Sequence, residues 1–313
     1  MHALKISAAG AAGLSLPLLL AACSPSAPGS LPMDQARSVS RSARASGALL
    51  YVADLGTKEV DYLSYPAGKK EGVLTGFYAV NGVCADAKGD VFAADGHSND
   101  IYEFPHGGKR AIATLHDPGY YFHGCAVDPH SGDLAVAIEP VNSDPGGIAI
   151  FKHARGKPAN FTSQDTFFSS YCAYDDEGDF FLDGEDIHGM FYLAEMVKGS
   201  QGLKIVSLAQ QIQAPGGVQW DGKVLAVGDQ GVGYKDSTIY RFKITAGEGK
   251  LVGTTPLGGS TDVIGFAIDG DRVIGPNFGD SSSSVLYWKY PAGGEPIKTI
   301  TGFTEPIAVT ISE

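Results

Sequence analysis

Gly82-Val-Cys-Ala-Asp86, Gly124-Cys-Ala-Val-Asp128, Tyr171-Cys-Ala-Tyr-Asp175, Gly217-Val-Gln-Trp-Asp221 and Gly265-Phe-Ala-Ile-Asp269 are five versions of one short strand that ends in an acid. A sixth, Ala308-Val-Thr-Ile-Ser312, lies close to the C-terminus, and successive copies start 42, 47, 46, 48 and 43 residues apart. That period is the length of a four-stranded propeller blade. A second strand follows each of the five, as in Val91-Phe-Ala-Ala-Asp95, Leu134-Ala-Val-Ala-Ile-Glu139 and Val224-Leu-Ala-Val-Gly-Asp229. Aromatic third strands come next, among them Ile101-Tyr-Glu-Phe104, Ile239-Tyr-Arg-Phe242 and Val285-Leu-Tyr-Trp288. Short β-branched and aromatic runs between Gly, Pro, Asn and Asp turns are strand signals, and long amphipathic helical windows are missing.

The arithmetic also predicts how the ring closes. The stretch Leu49-Leu-Tyr-Val-Ala-Asp54 reads as a second strand with no innermost strand before it, and Ile307 to Ser312 can supply one. The two ends of the domain would then pair and remove an open edge. Tyr65-Pro-Ala-Gly68 before Leu74-Thr-Gly-Phe77, and Tyr290-Pro-Ala-Gly293 before Ile300-Thr-Gly-Phe303, tie the first blade to the last. The expectation is an all-β, six-bladed β-propeller over residues 47–313, folding as one monomeric domain. In these motifs the chain resembles the NHL-repeat class of propellers, whose repeats carry a Gly-Val-Ala-Val-Asp strand followed by a Val-Ala-Asp strand. The resemblance implies a fold and leaves activity open.

The first 46 residues have a different character. Lys5 and the apolar run Ile6 to Leu20 read as an export signal over residues 1–22. Leu20-Ala-Ala-Cys23 resembles a bacterial lipobox, which implies lipidation of Cys23 and a membrane anchor. An ordinary signal cut after Ala22 is the alternative. Ser24 in place of Asp favours the outer membrane as the address. Residues 23–46, rich in Ser, Pro, Ala and Arg, have no apolar periodicity and read as a disordered tether. With 23 Lys and Arg against 35 Asp and Glu, the net charge is −12, which argues against nucleic acid as a partner.

Three cysteines follow Cys23, all on innermost strands. Cys84 sits one step further along its strand than Cys125 and Cys172 do on theirs. Side-chain alternation lets Cys84 and Cys125 face each other across adjacent blades. A bridge there would stabilise the fold by about 4 kcal/mol on the chain-entropy account; three buried free thiols are the alternative.

One polar residue ends each second strand: Asp54, Asp95, Glu139, Asp183, Asp229 and Asn277. Such residues commonly accept hydrogen bonds from nearby backbone. The sharper reading has Asp95, Glu139, Asp183 or Asp229 holding calcium or another divalent cation. His97, His123 and His188 fall in the same loops, with His123 and His97 the candidate acid–base groups. Tyr120, Tyr121, Phe122, Phe168 and Tyr171 supply an aromatic rim suited to a ligand. His106, His116, His130 and His153 fall in other turns and read as incidental.

No nucleophile elbow, zinc-protease pair, phosphate loop or EF-hand loop is present. Glu139, Asp229 and Asn277 match the chemistry of the metal ligands of gluconolactonase-like propellers, but the early Glu-Gly-Pro motif of that family is missing. The expected function is a binding or scaffolding module for an envelope protein, a glycan or a small ligand. A metal-dependent hydrolase or lyase at the channel mouth is the alternative.

Overall fold

The computed structural model describes residues 47–142, 145–231, 236–279 and 283–313. The expected leader, the tether and Cys23 lie outside the described residues. The chain forms six blades around a central axis. The first contains β1 (Leu49–Asp54), β2 (Glu59–Ser64) and β3 (Lys70–Leu74). The second is β4 (Val80–Ala85), β5 (Val91–Asp95), β6 (Asp100–Phe104) and β7 (Ala113–His116). The third is β8 (Tyr120–Val127), β9 (Leu134–Pro140), β10 (Gly147–Phe151) and β11 (Ala159–Thr162). The fourth is β12 (Phe168–Tyr174), β13 (Phe180–Glu185), β14 (Phe191–Met196) and the two-residue β15 (Lys204–Ile205).

The fifth blade is β17 (Pro215–Trp220), β18 (Leu225–Asp229), β19 (Ser237–Thr245) and β20 (Glu248–Leu257). An unforeseen outer strand, β16 (Ser207–Leu208), runs parallel to β20. In the sixth, the innermost position is split between β21 (Asp262–Val263) and β22 (Ala267–Asp269), followed by β23 (Arg272–Phe278), β24 (Ser284–Lys289) and β25 (Lys298–Thr301). The last strand, β26 (Pro306–Ser312), pairs antiparallel with β1, Leu49 opposite Ser312 and Val52 opposite Val309. This makes β26 the innermost strand of the first blade. Among the described residues the helical content is one 3-10 turn, Lys152–Ala154.

Inner strands are apolar on both faces because each blade packs between two others. All of Val91 to Asp95 is buried, whereas the outer strand Lys298–Thr301 alternates half-buried and exposed. The core is accordingly divided into six clusters, one per blade interface. Phe92, Phe122 and Phe151 fill the space between the second and third blades. Leu50, Val52, Ile274 and Tyr287 do the same between the sixth and the first. Each fully buried large side chain of this kind contributes roughly 1.5–3 kcal/mol.

The ends of the domain are fastened by more than the β1–β26 ladder. His106, in the lower turn of the second blade, bonds Ser312 Oγ through Nδ1 at 2.7 Å and the Gly47 carbonyl through Nε2 at 2.9 Å. Sequence marked this histidine as incidental; it is part of the seam, since a turn far along the chain reaches both ends. The matching tyrosines act alike: Tyr65 Oη donates to Asp269 at 2.8 Å, and Tyr290 Oη donates to Asp221 at 2.7 Å. Each joins its blade to the innermost strand of the preceding one.

The first position of the repeat strand sets the width of the channel. Gly82, Gly124, Gly217, Gly265 and Ala308 converge there, and the blades approach closely because these residues are small. The fourth blade carries Tyr171 instead, whose ring lies against Gly124 on one side and Gly265 on the other. The central cavity that remains is about 30 Å³, hardly more than a water molecule needs. A Cβ added to Gly124 would sit 2.8 Å from Tyr171 Cδ1 and 2.9 Å from the Ser170 carbonyl oxygen. Gly124→Ala is therefore expected to cost about 1–3 kcal/mol, while Gly47→Ala, with nothing within 4 Å, stays near wild type. Urea denaturation of the two variants checks this; equal midpoints would refute the close packing.

Candidate functional site

The loops leading into innermost strands and those joining second to third strands share one face of the ring, here called upper. Five of the six second-strand termini do the same job there. Asp95 accepts from the Tyr78 and Ala79 N–H groups, both at 2.7 Å. Asp54 accepts from Thr304 N at 2.7 Å and Glu305 N at 2.9 Å. Asp229 accepts from Gln213 N at 3.1 Å and Ala214 N at 3.3 Å, and Asn277 Oδ1 from Thr261 N at 2.7 Å. Asp183 accepts from Tyr171 N at 2.8 Å and, across the blade boundary, from Gly217 N at 3.3 Å. Each clasp holds the chain as it enters the innermost strand, which satisfies buried donors that would otherwise be costly. Among the described residues no three or more His, Cys, Asp or Glu side chains are gathered to hold a metal ion.

The third blade departs from this pattern. Glu139 stands opposite Tyr121 in the β8–β9 register, and its Oε2 accepts from His123 Nε2 at 3.0 Å. Both side chains are half-buried. Beside them a row of rings crosses the upper face. His97 packs against Tyr121 with centroids 4.9 Å apart and planes tilted by 32°, and Tyr78 against His97 at 5.6 Å and 31°. Lys58 Nζ, from the β1–β2 turn, lies 5.1 Å from the centre of the Tyr78 ring. Asn81 Nδ2 donates to the Phe122 carbonyl at 3.0 Å and Asn99 Nδ2 to that of Tyr120, which fixes β8 against the second blade. The row thus draws on three blades, and Tyr78 at its end is 63% exposed.

The expected rim is only partly realised. His97, Tyr121 and His123 come together, with Glu139. Phe122 does not belong: it is fully buried in the cluster with Phe92 and Phe151. The reason is that residues 120–123 are the start of a strand, not a loop, so alternation turns Phe122 inward. Tyr120 is half-buried against the same cluster. Tyr171 lies in the channel, its hydroxyl held neutral by burial and by Asp183. Phe168 forms an edge-to-face pair with Phe167 at 4.7 Å on the fourth blade. His188 is exposed in the turn after β13, its N–H donated to Asp186. Lys58 and Tyr78 were not singled out from sequence. The signal for Tyr78 was its place two residues before β4, which is the loop position that matters.

Cys84 and Cys125 form a disulfide between the innermost strands of the second and third blades, and Cys172 is a buried free thiol. Burial raises that thiol well above its usual range, with Asp183 adding to the effect. The Asp183 carboxyl is itself pushed up to about 7 by burial, in spite of the N–H groups it accepts from.

No protein-family model and no curated protein matches the chain. Solved structures do. A protein of unknown function from Bacteroides caccae is 12% identical and superimposes with a TM-score of 0.65, covering 86% of this chain and 100% of its own. The nidogen/laminin complex gives 13% identity and a TM-score of 0.66 over 85% of this chain and 99% of that one. Hydrazine synthase of Kuenenia stuttgartiensis gives 12% and 0.58, over 77% and 74%. At these identities the likeness concerns the fold alone.

Asp183 makes a pH prediction. Its native pKa of about 7 exceeds the unfolded value of ~3.9, so between the two the native state keeps a proton that the unfolded state has lost. Its contribution is full below about pH 4, declines as pH rises, and is flat above about 7. Asp183→Asn, which copies Asn277 of the sixth blade, is expected to abolish that slope. Unfolding free energies of both proteins from pH 4 to 8 test it, and parallel curves would contradict it.

Proposed function

We propose that this protein is a non-catalytic binding module of the bacterial cell envelope, anchored through a lipid on Cys23 and carrying an NHL-like propeller on a short tether. The upper face over the first three blades receives the ligand, an envelope protein or glycan. One observation carries this reading: the ring row Tyr78–His97–Tyr121 ends at the His123–Glu139 pair, where the acid is free of the clasp role it has in the other blades. Aromatic side chains with a few placed polar groups are how binding sites are commonly lined. The Leu20-Ala-Ala-Cys23 motif supports the anchor, with the outer membrane as its address. A disulfide across two blades fits an oxidising compartment.

A second reading, a hydrolase or lyase, draws on the His123–Glu139 contact, since a histidine oriented by a carboxylate suits proton transfer. It needs a substrate held beside His123, where no further catalytic group is gathered among the described residues.

The binding reading predicts that immobilised full-length protein retains a component of solubilised envelope, and that Tyr78→Ala with Tyr121→Ala lowers retention about tenfold or more. The thermal midpoint of the double variant should stay within a few degrees of wild type, because Tyr78 is largely exposed and Tyr121 half-buried. Undiminished retention by a folded double variant would move the site elsewhere.

A further inference from the structure

We infer that the lower rim of the second and third blades lies against the anionic phospholipid headgroups of a membrane, an inference that rests on the anchored reading above. The cations of the domain are segregated. Among the described residues Lys58 is the one Lys or Arg in the upper loops; the others stand in the turns of the lower face or toward the lower ends of strands. Two loops there, the equivalent third-to-fourth-strand connections of adjacent blades, hold cations and no acid at all. Residues 105–112 carry Lys109 and Arg110, and residues 152–158 carry Lys152 and Lys157. All four are exposed, and among the described residues no carboxylate pairs with any of them. Arg155, in the second loop, is already bonded to the buried Glu103. The acids of the neighbouring turns face inward on the chain: Asp86, Asp128 and Asp133 accept from the backbone N–H groups of Lys88, His130 and His153.

Two further observations select a membrane. Ile112, two residues from Arg110, is 57% exposed. Cations beside an exposed apolar residue suit a headgroup layer over acyl chains, whereas a soluble anion makes no use of the isoleucine. The second is where the chain enters the domain. The Gly47 carbonyl accepts from His106 Nε2 at 2.9 Å, and His106 belongs to the loop that carries Lys109, Arg110 and Ile112. The chain leading from Cys23 therefore joins the domain beside this rim. A few exposed cations bind weakly from solution, but an anchor on that chain makes the contact intramolecular and populates it. On the same face the turn of the fourth blade carries Asp175, Asp176, Glu177 and Asp179, which an anionic surface repels. The contact is thus confined to one side of the ring, and the upper face is left turned away from the bilayer.

Vesicle flotation of the full-length chain tests the inference. Cys23→Ser removes the site of lipidation, so that acyl chains do not mask a weak contact. This variant should float better with vesicles holding about a third phosphatidylglycerol than with pure phosphatidylcholine, and the gain should vanish in about 0.5 M salt. Adding Lys109→Glu, Arg110→Glu, Lys152→Glu and Lys157→Glu should raise the half-saturating lipid concentration about tenfold or more. A matched control, Lys223→Glu, Lys243→Glu, Lys250→Glu and Lys289→Glu, changes the net charge equally on the fifth and sixth blades and should keep most of the binding. All eight positions are exposed, and thermal melts verify that both variants fold. No phosphatidylglycerol-dependent gain, unchanged binding after the first set, or equal loss from both sets overturns the inference. Wild type on pure phosphatidylcholine reports the anchor separately. If it floats while the gain is missing, the anchor stands and the rim is wrong; if it fails to float while the gain persists, the rim stands and the anchor is wrong.

Discussion

Antiparallel pairing of Leu49–Asp54 with Pro306–Ser312 is the constraint on which the rest of the structure depends. Without it the first blade lacks its innermost strand, the ring has two raw edges, and the cluster formed by Leu50, Val52, Ile274 and Tyr287 has no continuous wall. Hydrogen bonds that link His106 with Ser312 and Gly47, and one that Tyr65 donates to Asp269, reinforce the same seam. Closure also fixes how near the six innermost strands come to the axis. Glycine at four first positions permits that approach, and Tyr171 fills what is left. The central cavity is left with only about 30 Å³.

The recurring acids divide into two structural classes and one exception. Those that end innermost strands fold back on their own turns: Asp86 accepts from Lys88 N and Asp90 N, and Asp175 from Glu177 N and Asp179 N. Those that end second strands clasp the chain entering the blade. Repetition in sequence thus reports a backbone need that recurs around the ring, which is why it says little about chemistry. Glu139 is informative because it breaks the rule. One methylene longer than aspartate and set opposite Tyr121, it is bonded to a histidine side chain.

Much of the fold was legible because a propeller repeats its pattern at a fixed period and its inner strands must be apolar on both faces. The seam followed from counting strands. The site was legible in part. His97 could be placed by the loop that holds it, but residues 120–123 begin a strand that looks like a loop when a turn signal, Gly119, immediately precedes it, so Tyr121 and His123 share one face while Phe122 turns inward. Tyr78 carries no motif; its place in the row follows from the tilted ring contact with His97, a contact between two loops of one blade. The outer strand Ser207–Leu208 was invisible for a related reason: two residues hold no periodicity, and their pairing to Glu248–Gly249 depends on the neighbouring blade.

The seam joins residues at the two extremes of the domain, and this bears on how the chain acquires its structure. Until Ser312 has been synthesised, the first blade cannot be completed and the ring cannot be sealed. Contacts this distant in sequence form slowly, since the loop they close is almost the entire domain. A nascent chain emerging from the ribosome would therefore stay open along one edge until that strand has emerged. The architecture itself thus defers the sealed state until Pro306–Ser312 is free to pair with Leu49–Asp54.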